Sequence, residues 1–119
     1  MVDYKKYKVW QRSHKLVLAI YEVTKKFPKT EQFGLVSPMN RATISVPANI
    51  AEGCGRETQK ELIRFLYLSS GSAHELDYLL LVSKELGFLV DEKAEDLIQE
   101  IDEIKKMIAA FIITIKRPL

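Results

Sequence analysis

SPMNRATISVPANIAEGCGRETQKELIRFLYLSSGSAHE, residues 37–75, decides the fold. Ser37-Pro38 predicts a helix start, with serine as the N-cap and proline at the first helical position, where a missing N–H costs nothing. Met39, Ala42 or Thr43, Val46 and Ile50 then recur at steps of three and four, one apolar stripe of a helix. Pro47 interrupts that stripe. Inside an unadapted helix it costs on the order of 3 kcal/mol, because it removes a hydrogen bond and crowds the preceding turn. The stripe passes through without losing phase, so a kinked continuous helix is expected rather than two helices. Gly53-Cys54-Gly55 predicts the helix end, with glycine supplying left-handed backbone. Thr58-Gln59-Lys60-Glu61 fits a capping box, and a third helix follows to about Leu86. Its inward phase is Leu62, Leu66, Ser69, Ala73, Leu76, Leu80 and Ser83, and Gly87 closes it.

Upstream, Val9, Ser13, Leu16, Ile20, Val23 and Phe27, with Val17 and Thr24 alongside, trace a first helix. Pro28 ends it, since proline also disfavours helical geometry at the residue before it. Residues 29–36 read as a connection, with room for one turn at Glu31 to Gly34. Downstream, Asp91 is the expected N-cap of a fourth helix, with Glu92, Glu95 and Asp96 at its positive end. Leu97, Ile101, Ile104, Ile108, Phe111 and Ile115 form its seam, Lys105, Lys106, Lys116 and Arg117 load its later turns, and Pro118 ends it. Four helices, short connections and no strand signal give an all-α, antiparallel up-down-up-down four-helix bundle in one domain, 1–119. Ile63, Phe65, Tyr67, Tyr78, Leu79, Leu81 and Val82 make the third helix apolar on several sides. A subunit interface over one of those sides is the simplest explanation.

Composition bounds the function. One cysteine among 119 residues excludes an intrachain disulfide and suits a reducing cytoplasm. The opening MVDYKKYKVWQRSHK is too charged for a secretory signal, and the apolar run from Met107 to Ile115 is far short of a membrane span, so a cytoplasmic protein without membrane contact is expected. His14 and His74 have no ligand partner at helical spacing, and no HExxH or Glu-x-x-His pattern occurs. No metal, cofactor or catalytic residue is therefore expected, and the chain reads as non-enzymatic. Gly53-Cys54-Gly55-Arg56 lacks the lysine, spacing and preceding strand of a phosphate loop, so a helix cap explains it better.

Two polar constellations remain. Residues 1–60 carry eleven Lys/Arg against five Asp/Glu, and residues 61–119 carry seven against eleven. Such asymmetry marks either a nucleic-acid surface or complementary faces within a bundle or oligomer. Lys5, Lys6, Lys8, Arg12 and Lys15 interleave with Tyr4, Tyr7 and Trp10, which suits a solvated helix start whose rings pack on the bundle or, as the alternative, phosphate contact with base stacking. Arg56, Lys60 and Arg64 follow at i, i+4 and i+8. The nucleic-acid-contact set is thus Lys5, Lys6, Lys8, Arg12, Arg56, Lys60 and Arg64. Separately, Arg41, Ser45, Asn49 and Glu52 share one face of the second helix, with Glu75 on the third. They form either a cleft or a buried network that fixes register, in which Arg41 pairs with Glu52 or Glu75.

The elements Ser45 to Gly53, Gly55-Arg56 and Phe65 to Leu76, with Val9-Trp10-Gln11 opening the first helix, resemble the family of four-helix-bundle proteins encoded in intervening sequences of bacterial 23S rRNA genes. Cys54 stands where an aromatic is common. The family is similar to the accessory protein of diversity-generating retroelements, a basic pentameric barrel that works with a reverse transcriptase and nucleic acid. The resemblance therefore implies a homo-oligomer, a pentamer in number, and it does not imply an enzyme. Two functions follow as expectations: a scaffold that binds RNA, DNA or a ribonucleoprotein through its basic residues, or an accessory subunit with a polypeptide partner.

Overall fold

The computed structural model describes residues 3–117. Four helices form: α1 (Lys8–Thr24), α2 (Ser37–Cys54), α3 (Gln59–Glu85) and α4 (Asp91–Lys116). No strand occurs among the described residues. The expected Pro118 stop lies outside them.

Cross-helix contacts fix the arrangement. Along α2 and α3 the pairs Val46–Ser69, Ser45–Ser72 and Met39–Ser83 run in opposite chain directions. Asp77–Lys105 and Lys84–Glu95 do the same for α3 and α4. Tyr7 against Phe111 and Arg12 against Glu100 bring α1 alongside α4, while Thr24 meets Asn40 between α1 and α2. The connections 25–36 and 86–90 therefore share one end of the bundle, and the start of α1, the α2–α3 turn and the last turn of α4 share the other.

The sequence periodicity reappears as burial. Val9, Ser13, Leu16, Ile20, Met39, Val46, Ile50, Leu66, Ser69, Ala73, Leu76, Leu80, Ser83, Leu97, Ile101, Ile104 and Ile108 are all buried, and Ala42 and Thr43 both are. Val23 and Leu62, also expected inward, are only half-buried. On α4 the last buried step is Ile112, and the expected Phe111 and Ile115 are only half-buried. A straight helix drifts about 20° per heptad against a 3.5-residue repeat, so the seam rotates by its fourth turn. Phe111 instead packs its ring 4.7 Å from that of Tyr7.

Helix ends differ from expectation in four places. α1 ends at Thr24 rather than at Phe27, and the Lys26 and Phe27 amides donate to Val23 O and Thr24 O in tighter turns. Ser37 is helical, not an N-cap, because a wide turn over Gln32–Val36 feeds straight into α2. Asp91 is the first helical residue, and the extended residue before it is Val90. Asp91 and Glu92 still place negative charge on the helix dipole. Gly55 has φ −85°, so the α2–α3 turn uses no left-handed residue. Gly53 serves packing instead. A Cβ there would lie 2.9 Å from Phe65 Cβ and 3.0 Å from Leu62 Cδ1. The Thr58 cap forms, with the Glu61 amide donating to Thr58 Oγ1 at 3.1 Å. Gly87 is left-handed (φ 84°), and the Phe88 and Gly87 amides donate back to Ser83 O and Lys84 O. As for Pro47, α2 is continuous through it.

Gly53→Ala is expected to lower unfolding free energy by about 1–3 kcal/mol, because the nearest atom, Phe65 Cβ, is fixed to the α3 backbone and cannot swing away. Gly87→Ala should cost roughly 1–2 kcal/mol through its left-handed backbone. Urea titrations of both variants check this, and unchanged midpoints would contradict it.

Candidate nucleic-acid interface

The basic residues singled out from sequence converge because of topology. Tyr7 anchors the N-terminal segment. Its ring lies 4.7 Å from Phe111, and it lines a hollow of about 280 Å³ with Gly53, Cys54, Arg56, Glu57, Thr58, Gln59 and Leu62. Burial raises the Tyr7 phenol above its ordinary pKa, with the Cys54 thiolate a second contribution in the same direction. Lys5, Lys6 and Lys8 flank this anchor, so they lie beside the α2–α3 turn, and all three are exposed.

At that turn, Phe65 organises the cations. Its ring is buried, and the guanidinium carbons of Arg56 and Arg64 each lie 4.7 Å from its centroid. Arg56 belongs to the turn rather than to α3, so its place beside Arg64 comes from the shared ring, not from helical phase. Cation–π contact of this kind holds a guanidinium in place while its N–H groups still face solvent. Glu52 Oε1 also accepts from Arg56 at 2.9 Å. Lys60 is exposed on the first turn of α3.

Lys116, which the sequence places only as a cation in the last turn of α4, joins this end. Its Nζ donates to Tyr67 Oη at 2.8 Å. The signal was available, since in an antiparallel bundle the last turn of α4 meets the early turns of α3. Arg12 is placed otherwise. It makes a bidentate pair with Glu100, at 2.9 and 2.6 Å, and that hydrogen bonding raises its pKa. A fork so occupied is committed to joining α1 to α4 rather than to a phosphate.

For the second constellation the structure contradicts the buried network, while Arg41, Ser45 and Glu75 line one open groove. Glu52 pairs with Arg56, not with Arg41. Arg41 and Glu75 are both exposed, so they form no buried network. Within α2, Asn49 Nδ2 donates to Ser45 O and Oγ at 2.8 and 2.9 Å, and the network crosses to α3 where Ser72 Oγ bonds to Ser45 Oγ at 2.7 Å. Ser69 Oγ donates to Val46 O at 2.8 Å beside it.

The profile of the family described as 23S rRNA-intervening sequence protein matches residues 5–110. The chain belongs to the 23S rRNA-intervening sequence protein family. The match takes in both the basic turn and the polar α2–α3 seam. A solved structure of a protein of unknown function from the S23 ribosomal protein family of Bacteroides thetaiotaomicron VPI-5482 is similar in fold, with TM-score 0.82 and 22% identity over 87% of this chain and 97% of that one. No curated protein matches the sequence. Among the described residues of this 23S rRNA-intervening sequence protein, no group of three His, Cys, Asp or Glu side chains is arranged to hold a metal ion, and no helix is long and apolar enough to cross a membrane.

Cys54 is half-buried, and burial raises its thiol pKa. It should therefore alkylate more slowly with iodoacetamide in the folded protein than in urea at pH 7.5, since the thiolate is the nucleophile. An equal or faster folded rate would show an activated thiol.

Proposed function

We propose that this protein is a non-enzymatic, cytoplasmic, homo-oligomeric scaffold that binds RNA or DNA through the basic end of its bundle. The observation that carries the reading is the gathering of Lys5, Lys6, Lys8, Arg56, Lys60, Arg64 and Lys116 around the α2–α3 turn, with two guanidiniums steadied on one buried ring. Lysines and arginines fixed at one end neutralise phosphates without reading bases, so affinity comes mainly from counterion release. Tyr4 and Trp10 stand close by with ring centroids 5.0 Å apart, and they add a stacking surface. A ring of copies, five by the family resemblance, repeats this end around an axis and turns weak single contacts into avidity.

The test is fluorescence anisotropy with a single-stranded RNA of mixed sequence across a salt series. With about four phosphate contacts per chain, affinity should fall on the order of tens-fold between 50 and 200 mM salt. Lys60→Glu with Arg64→Glu should reduce the log–log salt slope by about 1.4. Arg12→Ala should leave the slope unchanged. Absence of binding at low salt, or a salt-independent affinity, overturns the reading.

A second reading is a polypeptide partner. Phe33 is 86% exposed, Val90 74% and Leu86 61%, all at the end opposite the basic one. A scattering of large apolar side chains on the connections is a surface for protein contact. A partner that stays bound after nuclease treatment, and is released by Phe33→Ser, favours it.

A further inference from the structure

An open groove of about 280 Å³ runs along the α1–α2 seam, starting at the basic end. Tyr4, Trp10 and His14 form one wall, and Ile44, Pro47 and Ala48 the other. The lining is almost wholly apolar, and no acid contributes to it. Its rings are ordered against one another. The planes of Trp10 and His14 lie 6° apart with centroids 5.0 Å apart, an offset stack, and Tyr4 meets Trp10 edge-on at 5.0 Å. Trp10 is half-buried, and His14 and Ile44 are exposed, so this surface faces solvent. The buried stripe of α1 is Val9, Ser13, Leu16 and Ile20, and the stacked rings lie beside it rather than within it. Lys5 stands at the rim, with Nζ 5.8 Å from the Tyr4 centroid.

We infer that this groove seats one unpaired nucleobase of a bound strand against the Trp10 and His14 rings, with the adjoining phosphate at Lys5. Aromatic surface with a cation at its edge takes a base and its phosphate together, and every base has a face to stack. The volume is at the small end for ligand sites, which suits a single ring system and not a folded segment. A peptide side chain would fill an apolar groove without needing stacked rings or a lysine at the rim. A base inside a duplex is already paired and stacked, and cannot enter. The base site rests on the nucleic-acid reading proposed above and narrows its ligand to strands with unpaired bases.

Trp10 is the only tryptophan, so its fluorescence reports on the groove directly. The full chain is titrated at low salt with a short oligodeoxyadenylate, an abasic strand of the same length and a DNA duplex, and anisotropy of labelled strands gives each affinity in parallel. The oligodeoxyadenylate should quench Trp10 and bind about ten-fold tighter than the abasic strand. The abasic strand and the duplex should bind through the basic end without quenching. Ala48→Leu narrows the groove at an exposed helical position. It should abolish both the quenching and the preference for adenylate, and leave affinity for the abasic strand unchanged. Equal affinities for the two strands, quenching by the abasic strand, or an Ala48→Leu variant that keeps the preference overturns the base site and leaves the basic end standing. Trp10 fluorescence that changes on dilution with no strand present puts a second copy of the chain in the groove, and also overturns it. No binding of any probe overturns both readings.

Discussion

The close approach of α2 to α3 is the constraint on which the rest depends. It is the most extensive helix contact in the bundle, and small residues make it possible. Gly53 lies against Phe65 and Leu62 with no room for a methyl group, and Ser69, Ala73 and Ser83 are fully or nearly fully buried. Side-chain hydroxyls then tie backbone to backbone, as when Ser69 donates to the Val46 carbonyl. Buried hydroxyls are costly unless paired, so each such bond rewards a single register and penalises its neighbours. Pro47 sits one residue beyond that carbonyl, and α2 runs through it unbroken. Much of the fold's specificity thus resides in a seam that hydrophobic burial alone would not align.

The seam also builds the basic end. Gly53 lets Phe65 come under the α2–α3 turn, and Phe65 then carries Arg56 and Arg64 together. Tyr7, wedged against Phe111, brings the N-terminal lysines to the same turn. Charges far apart in sequence become one surface through two aromatic anchors. Elsewhere charge serves the scaffold. Lys105 lies between Asp77 and Asp102, and although its burial opposes the charged form, those hydrogen bonds prevail and raise its pKa. Its contribution to stability is therefore complete below its unfolded pKa and lost only as strongly alkaline pH passes the folded value.

Much of this was legible in the sequence. The stripes on α1, α2 and α3 follow from steps of three and four, because burial in a bundle needs only period and phase. Helix starts were less legible, since a capping residue type such as Ser37 or Asp91 is compatible with several starts and the preceding chain decides. For Ser37 the deciding element was the wide turn at Gln32–Val36. The left-handed reading of Gly53 and Gly55 missed that glycine also serves close packing, and only the position of Phe65 tells the two apart. Ion pairs were the least legible. Arg12 found Glu100, which lies 88 residues away, and Glu52 took Arg56 rather than Arg41, because partners depend on which helices become neighbours. The particular contact of Lys116 with Tyr67 is illegible in sequence for the same reason.

The central claim is that one end of the bundle meets nucleic acid. Amide chemical-shift mapping of the protein titrated with a short single-stranded RNA at low salt tests it most directly. The account predicts shifts concentrated at residues 5–8, 56–64 and 116–117, with residues 25–36 and 86–95 unmoved. Shifts confined to the opposite end, or none at all, would contradict it.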